Sequence, residues 1–219
     1  MSGFVTKEEP LPSTVKLIHG DCLDVLRKMK DKSVDAVVTD PPYGISMAKR
    51  GTLGSDRLAK VRDYGKSDWD DQPMSREVTK QIRRVAKWQV IFGGNFFELP
   101  PTSCWFVWDK MNSGDYADCE LAWTNLTCAV RKVSYRWNGM IKDGDDIQIH
   151  PTQKPVEVMQ WCLRKLPKDV KTVMDPFMGS GTTGVACAWL GLDFIGVEKD
   201  ERYFQMAKKR IQLAPRAKR

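Results

Sequence analysis

Short apolar runs that alternate with helix-period stretches constrain this chain more than any other feature, because each run has the length of a buried strand and each stretch the length of a crossover. Residues 15–18 and 35–38 read as buried strands, and residues 23–29 between them have helical spacing, which makes one βαβ unit. Residues 74–86 read as a helix, 89–92 as a buried strand ended by Gly93 and Gly94, and 104–108 as another strand. Residues 130–137 read as a strand turned by Asn138 and Gly139, 155–166 as a helix opened by a proline, and 172–174 as a strand. A helix over 182–190 is closed by Gly191, followed by a strand over 194–197 and an amphipathic helix over 201–213 before a basic, frayed end. The alternation predicts an α/β fold, doubly wound around a mostly parallel sheet of five or more strands.

A chain of 219 residues, 42% of them hydrophobic, can bury one sizeable core, so residues 1–219 are expected to form one domain. No apolar run approaches the roughly 20 residues that span a bilayer, and residues 1–12 resemble neither a signal peptide nor an arginine-rich presequence. The expectation is a soluble, cytoplasmic protein with no membrane partner. The six cysteines have no pair two residues apart and only two histidines to join them, so reduced, buried thiols and no metal site are expected. Lysine and arginine total 35 against 28 acids, and the formal charge of +7 favours a polyanionic partner.

The string Asp175-Pro176-Phe177-Met178-Gly179-Ser180-Gly181-Thr182-Thr183-Gly184 follows a strand and opens a helix. Its glycines let backbone approach a ligand at the positive end of that helix. Gly179, Gly181 and Gly184 match the dinucleotide fingerprint, and Glu198 ends the next strand, about 20 residues on, where an acid accepts ribose hydroxyls. Asp175 argues against a dinucleotide. A carboxylate at the head of the loop suits the ammonium of an amino-acid moiety better than a pyrophosphate, which points to S-adenosylmethionine.

Asp40-Pro41-Pro42-Tyr43 follows another strand, at the carboxyl edge of the expected sheet. An exocyclic base amine is a poor nucleophile because its lone pair is delocalised into the ring. Two acceptors on its hydrogens favour a pyramidal nitrogen, and the Asp40 carboxylate and Pro41 carbonyl are the candidates. Consecutive prolines hold that carbonyl in one direction. Tyr43 offers an aromatic face to an extruded base, a contact worth roughly 1–3 kcal/mol. Residues 44–73 then form a polar stretch without a sustained period, read as a mobile basic loop in which Lys49, Arg50, Arg57 and Lys60 are candidates for phosphate contact.

With both loops present, and with Gly20-Asp21-Cys22, Phe92-Gly93-Gly94-Asn95 and His150-Pro151-Thr152-Gln153-Lys154-Pro155 around them, the chain resembles the β-class amino-methyltransferases of DNA. In that family the catalytic loop precedes the cofactor loop, a circular permutation of the motif order. The resemblance implies a Rossmann-like seven-stranded sheet with one antiparallel strand. It also implies that Asp175, Phe177, Gly179 and Gly181, with Cys22, Asp40, Ser180 and Thr182, line the cofactor, that Glu198 meets its ribose, and that Asp21 lies near its adenine. Thr152 and Lys154 would help hold its carboxylate end, whereas His150 reads as a turn residue. An aspartate in the first catalytic position usually goes with adenine N6 in this family, and a serine with cytosine N4.

The interval 109–149 leaves little room for a separate recognition domain and is read as a short candidate target-recognition region. Base reading would rest on Arg131, Lys132, Tyr135, Arg136 and Trp137, or on the basic loop after Tyr43, with a short or relaxed target sequence. The expected reaction is direct in-line attack on the methyl group of S-adenosylmethionine by N6 of a flipped adenine in double-stranded DNA. No cysteine nucleophile is called for, and the chain has no Pro-Cys dipeptide. Cytosine N4, RNA or a protein amide are the rival acceptors, and an inactive nucleic-acid-binding protein is the rival class. The size resembles that of a solitary or phage-type modification enzyme, related to restriction-modification enzymes and often dimeric.

Overall fold

A computed structural model describes residues 14–44, 52–53, 62–63, 72–112, 117–138, 141–143 and 153–217. Its strands are β1 (Val15–His19), β2 (Val34–Thr39), β3 (Thr52–Leu53), β4 (Arg62–Asp63), β5 (Ala86–Phe92), β6 (Trp105–Asp109), β7 (Cys119–Thr124), β8 (Arg131–Ser134), β9 (Trp137–Asn138), β10 (Ile141–Lys142), β11 (Thr172–Asp175) and β12 (Asp193–Glu198). Among the described residues five α-helices accompany them: α1 (Cys22–Lys28), α2 (Arg76–Val85), α3 (Val156–Lys165), α4 (Thr182–Leu190) and α5 (Glu201–Leu213).

Eight strands form one sheet in the order β1-β12-β11-β2-β5-β7-β6-β8. Within it β7 alone runs against its neighbours, pairing antiparallel with β5 and β6, while the other pairings are parallel. The single antiparallel strand is as expected. The strand count is not: β8 joins the far side of β6, so the sheet has eight strands where seven were expected.

Residues alternate between the two sheet faces. Ala36, Val38, Val90 and Phe92 pack with Met159, Cys162, Val185 and Ala186 of α3 and α4 on one side. Val37, Ile91, Met174 and Val197 pack with Leu26, Ile82 and Val85 of α1 and α2 on the other. That period of two on strands buried on both faces is what double winding requires. Each such Val, Ile or Phe contributes about 1.5–3 kcal/mol by leaving water.

The helices begin where short polar side chains can cap them. Asp21 accepts from the Leu23 N–H at 2.8 Å, Ser75 from Val78 at 3.3 Å, and Asp200 from Tyr203 at 3.0 Å. α4 differs, with left-handed glycines, Gly181 (φ +80°) and Gly191 (φ +69°), at its two ends.

The interval 109–149, read as a short candidate target-recognition region, supplies β7 and β8 of the main sheet. One strand expectation needs correction. The run 130–137 is two strands rather than one, because β8 ends at Ser134 and β9 pairs with β10 as a separate antiparallel ribbon containing Asn138. Within the stretch read as a loop, β3 pairs with β4, and an isolated bridge joins Tyr43 to Pro73. Lys49, Arg50, Arg57, Lys60, His150 and Thr152 lie outside the described residues. Among the described residues no helix is long and apolar enough to cross a membrane, and no cluster of three His, Cys, Asp or Glu has metal-binding geometry. The cysteines are free, but Cys119 is exposed, against the expectation that all six are buried.

Candidate active site

Parallel β1, β12, β11, β2 and β5 all end at one edge of the sheet. The order of connection reverses between β11 and β2, and that switch point is where open α/β sheets bind ligands. Asp175 ends β11 there, and Asp40 follows the end of β2. The Thr39 hydroxyl bridges the two strands, donating to Asp175 Oδ1 at 2.6 Å. A cavity of about 370 Å³ opens at this edge, within the range of small-molecule sites, and is lined by Asp21, Cys22, Asp40, Pro42, Lys154, Asp175, Phe177, Gly179, Ser180, Thr182 and Glu198 among others. Of the residues expected to hold a cofactor, Gly181 stands one step back, as the N-cap of α4.

Asp175 is buried and carries three hydrogen bonds. Oδ1 accepts from Thr39 and from the Phe177 N–H (3.0 Å), and Oδ2 accepts from the Thr183 hydroxyl at 2.7 Å. A carboxylate has about four acceptor positions, so roughly one is left for a ligand. Burial pushes this carboxyl up to about 6 although its three donors oppose the shift. A buried acid so poorly compensated, beside a cavity, has the charge and the space that a cationic group needs.

Glu198 is tied differently. Oε2 accepts from the Gly179 N–H at 2.9 Å and Oε1 from the Asp200 N–H at 2.8 Å, which clamps the glycine loop to β12; the Lys199 N–H also bonds this carboxylate, so roughly one of its acceptor positions is left. Burial raises this carboxyl too. Arg210 of α5 steadies the same loop, its Nη1 donating to the Ser180 carbonyl and to the hydroxyls of Ser180 and Thr182 at 3.0–3.3 Å. Asp21 is the cap of α1. The Cys22 thiol is pushed up to about 12 by burial and then by the Asp21 charge, so it is a neutral lining group and no nucleophile.

The proline loop is pinned at both sides. The Pro42 carbonyl accepts from the Met74 N–H at 3.1 Å, and the Tyr43 ring lies against Gly93, where any Cβ would stand 2.1 Å from Cε1. Both Asp40 oxygens are engaged: Oδ1 accepts from the Tyr43 hydroxyl at 2.5 Å, and Oδ2 is 2.5 Å from Lys154 Nζ. The Asp40 side chain keeps 19% exposure, and Lys154 only 7%. Lys154 also meets Glu120 of β7 at 3.0 Å, and Glu120 meets Lys110 at 2.5 Å. Burial raises the Asp40 carboxyl despite the neighbouring Lys154.

Lys154, expected to help hold the cofactor's carboxylate end, lines the cavity, where its ammonium pairs with Asp40 and Glu120. The Tyr43 ring, expected to offer an aromatic face to a base, stacks on Phe96 at 5.0 Å and an interplanar angle of 14°, with Phe96 48% exposed. Thr39, Thr183, Arg210 and Glu120 were missed by sequence reasoning. Thr39 and Thr183 adjoin the two motifs, so their neighbourhood was a signal; for Glu120 and Arg210 no sequence signal existed.

The cationic candidates separate along β8. Lys132 Nζ lies 3.0 Å from Asp109 Oδ2, and that contact, after the Met111 N–H, holds the Asp109 carboxyl below its usual range. Arg131 pairs in register with Phe106 near the start of β6, whereas Ser134 pairs with Asp109 at its end. Arg136, just beyond β8, is therefore at the cavity edge of the sheet, and its N–H donates to Asp143 Oδ2 at 2.9 Å.

Comparison with known proteins agrees with this geometry. A family described as DNA methylase matches residues 87–209. The Type II methyltransferase M2.LlaDCHI of Lactococcus lactis subsp. cremoris is 26% identical over 89% of this chain and 88% of its own length. The crystal structure of an M1.HpyAVI-SAM complex superimposes with a TM-score of 0.56 at 25% identity, covering 91% of this chain and all of the other. PvuII DNA methyltransferase, cytosine-N4-specific, superimposes with a TM-score of 0.60 at 16% identity over 93% of this chain and 87% of its own, a likeness of fold alone.

Proposed function

Since this chain belongs to the DNA methylase family, we propose that it transfers a methyl group from S-adenosylmethionine to the exocyclic N6 of adenine in double-stranded DNA, with Asp40, Pro41, Pro42 and Tyr43 as its catalytic loop. The observation that carries this reading is one cavity bordered by Asp40 and Pro42 on one side and by Asp175, Phe177, Gly179 and Glu198 on the other. Acceptor loop and cofactor loop thus open on a common space.

The donor set fits this cofactor. Asp175 supplies a buried negative charge for its ammonium, and the acceptor position left on Glu198 suits a ribose hydroxyl. Phe177 lines the cavity as an aromatic surface, and Asp21 and Cys22 lie beyond Glu198, where Gly20 N–H donates to the Glu198 carbonyl at 2.9 Å. Bound there, S-adenosylmethionine supplies an electrophilic methyl group on a sulfonium.

The chain's own residues then prepare the acceptor. Asp40 and the Pro41 carbonyl draw on the two hydrogens of the amine and localise its lone pair, in line with the methyl group. Tyr43 orients Asp40 through its hydroxyl and presents its ring to the flipped base once Phe96 gives way. Aspartate at position 40 supports adenine over cytosine, by the family's usual pairing of residue and base.

The test is methyl transfer from labelled S-adenosylmethionine to unmethylated duplex DNA, followed by nucleoside mass spectrometry, with Asp40→Ala alongside. N6-methyladenine that vanishes in the variant, while cofactor binding persists, is the expected result. N4-methylcytosine keeps the mechanism and overturns the base. Bound cofactor with unlabelled DNA overturns the proposal.

A further inference from the structure

Lys154 is shared between two carboxylates, and only one of them belongs to the proline loop. Its Nζ lies 2.5 Å from Asp40 Oδ2 and 3.0 Å from Glu120 Oε2, and Glu120 Oε1 lies 2.5 Å from Lys110 Nζ. The four charges alternate in sign along the chain of contacts. The two lysines also sit over aromatic rings, Lys154 over Phe92 at 5.3 Å and Lys110 over Trp108 at 5.0 Å.

Glu120 reaches this place because β7 is antiparallel. Its first residues lie at the edge where the parallel strands end, in register with Trp108 and Asp109 of β6. The sheet, rather than a loop, therefore sets its position. Asp40 is the nearer of the two carboxylates, and without Glu120 it would face the buried Lys154 ammonium alone, so the acceptor meant for the substrate amine would be more fully neutralised. Lys110 in turn compensates Glu120: burial alone would raise that carboxyl, but Lys154 and Lys110 outweigh it and hold it below its ordinary value.

We propose that Glu120 is a positioning residue for methyl transfer: it shares the Lys154 ammonium with Asp40, so that the Asp40 carboxylate is only partly neutralised and can still accept from the exocyclic amine, and it takes up more of that ammonium as the amine engages. The inference rests on the DNA-amine reading given above. No bond or proton changes hands at Glu120; its action on Asp40 is electrostatic and passes through Lys154.

The experiment compares the full chain with Glu120→Gln and Glu120→Asp, measuring kcat and KM on unmethylated duplex DNA, cofactor affinity by calorimetry, and Tm. Expected for Glu120→Gln is a loss of ~10- to 100-fold in kcat, with KM and cofactor affinity changed by less than about twofold, and partial recovery in Glu120→Asp. If the single glutamine variant does not fold, the pair Glu120→Gln with Lys110→Gln removes one charge of each sign and must show the same kcat loss. An unchanged kcat, a loss confined to cofactor affinity, or failure of both variants to fold overturns the inference, the last because it assigns Glu120 to stability. Wild-type protein that does not methylate DNA overturns the functional reading and this inference together, whereas wild-type turnover with an unaffected Glu120→Gln overturns this inference alone.

Discussion

Asp175 keeps a negative charge where water scarcely reaches it, and its behaviour with pH follows. Folding raises its carboxyl from 3.8 to about 6, because burial outweighs the donors on it. The protonated form is therefore favoured by folding: the contribution of this group to stability is full below 3.8 and is lost as pH rises through about 6. A bound cation reverses the preference, since it interacts with the ionised form. Affinity for S-adenosylmethionine is expected to weaken as pH falls from 7 to 5, by at most about tenfold per unit for this one proton. Calorimetry at the two values checks it. Asp175→Asn should bind more weakly at pH 7 and lose most of the slope, leaving a residue from Glu198, whose carboxyl burial also raises. The ammonium seat proposed for Asp175 comes from its position at the head of a glycine loop. The hydroxyls of Thr39 and Thr183 that hold this carboxylate were not readable from the sequence, because a hydrogen bond between residues 136 apart depends on the pairing of β11 with β2.

At the scale of elements, the turn after β5 decides where Tyr43 can be. Gly93 has φ +64°, and a Cβ there would fall on the tyrosine ring. Gly93→Ala should therefore cost about 1 kcal/mol or more in stability, read by urea unfolding, and should displace Tyr43. Methyl transfer falls, and cofactor affinity holds, because Gly93 is not among the residues lining the cavity. Helix α2 offers the complementary test away from the site: Ile82 is fully buried, so Ile82→Ala should lower stability by roughly 2–5 kcal/mol with kcat preserved in the folded fraction. Helices α4 and α5 were predicted to their ends because their signals are local, a closing glycine in one and apolar spacing in the other. β7 was missed for the opposite reason. Its Glu, Leu and Ala favour helix in isolation, and two flanking strands override that preference.

For the whole molecule, a charge of +7 implies that DNA affinity falls with salt, the slope of log K against log salt being about −0.9 per phosphate neutralised. Because Arg136 follows the end of β8 at the cavity edge while Arg131 lies toward the other end of the strand, Arg136→Ala should lower that slope by about 1 and Arg131→Ala should leave it nearly unchanged, as read by fluorescence anisotropy over a salt series. Sequence alone determined the architecture and the two loops, since strand and helix periods and the motifs Asp40–Tyr43 and Asp175–Gly181 are carried by neighbouring residues. Tertiary structure decided what those loops touch. The eighth strand, the turn of Tyr43 onto Phe96, and the placing of Glu120 and Lys110 behind Lys154 all require segments far apart in the chain to meet. Only sheet order, with β7 inserted antiparallel between β5 and β6, brings them to one edge.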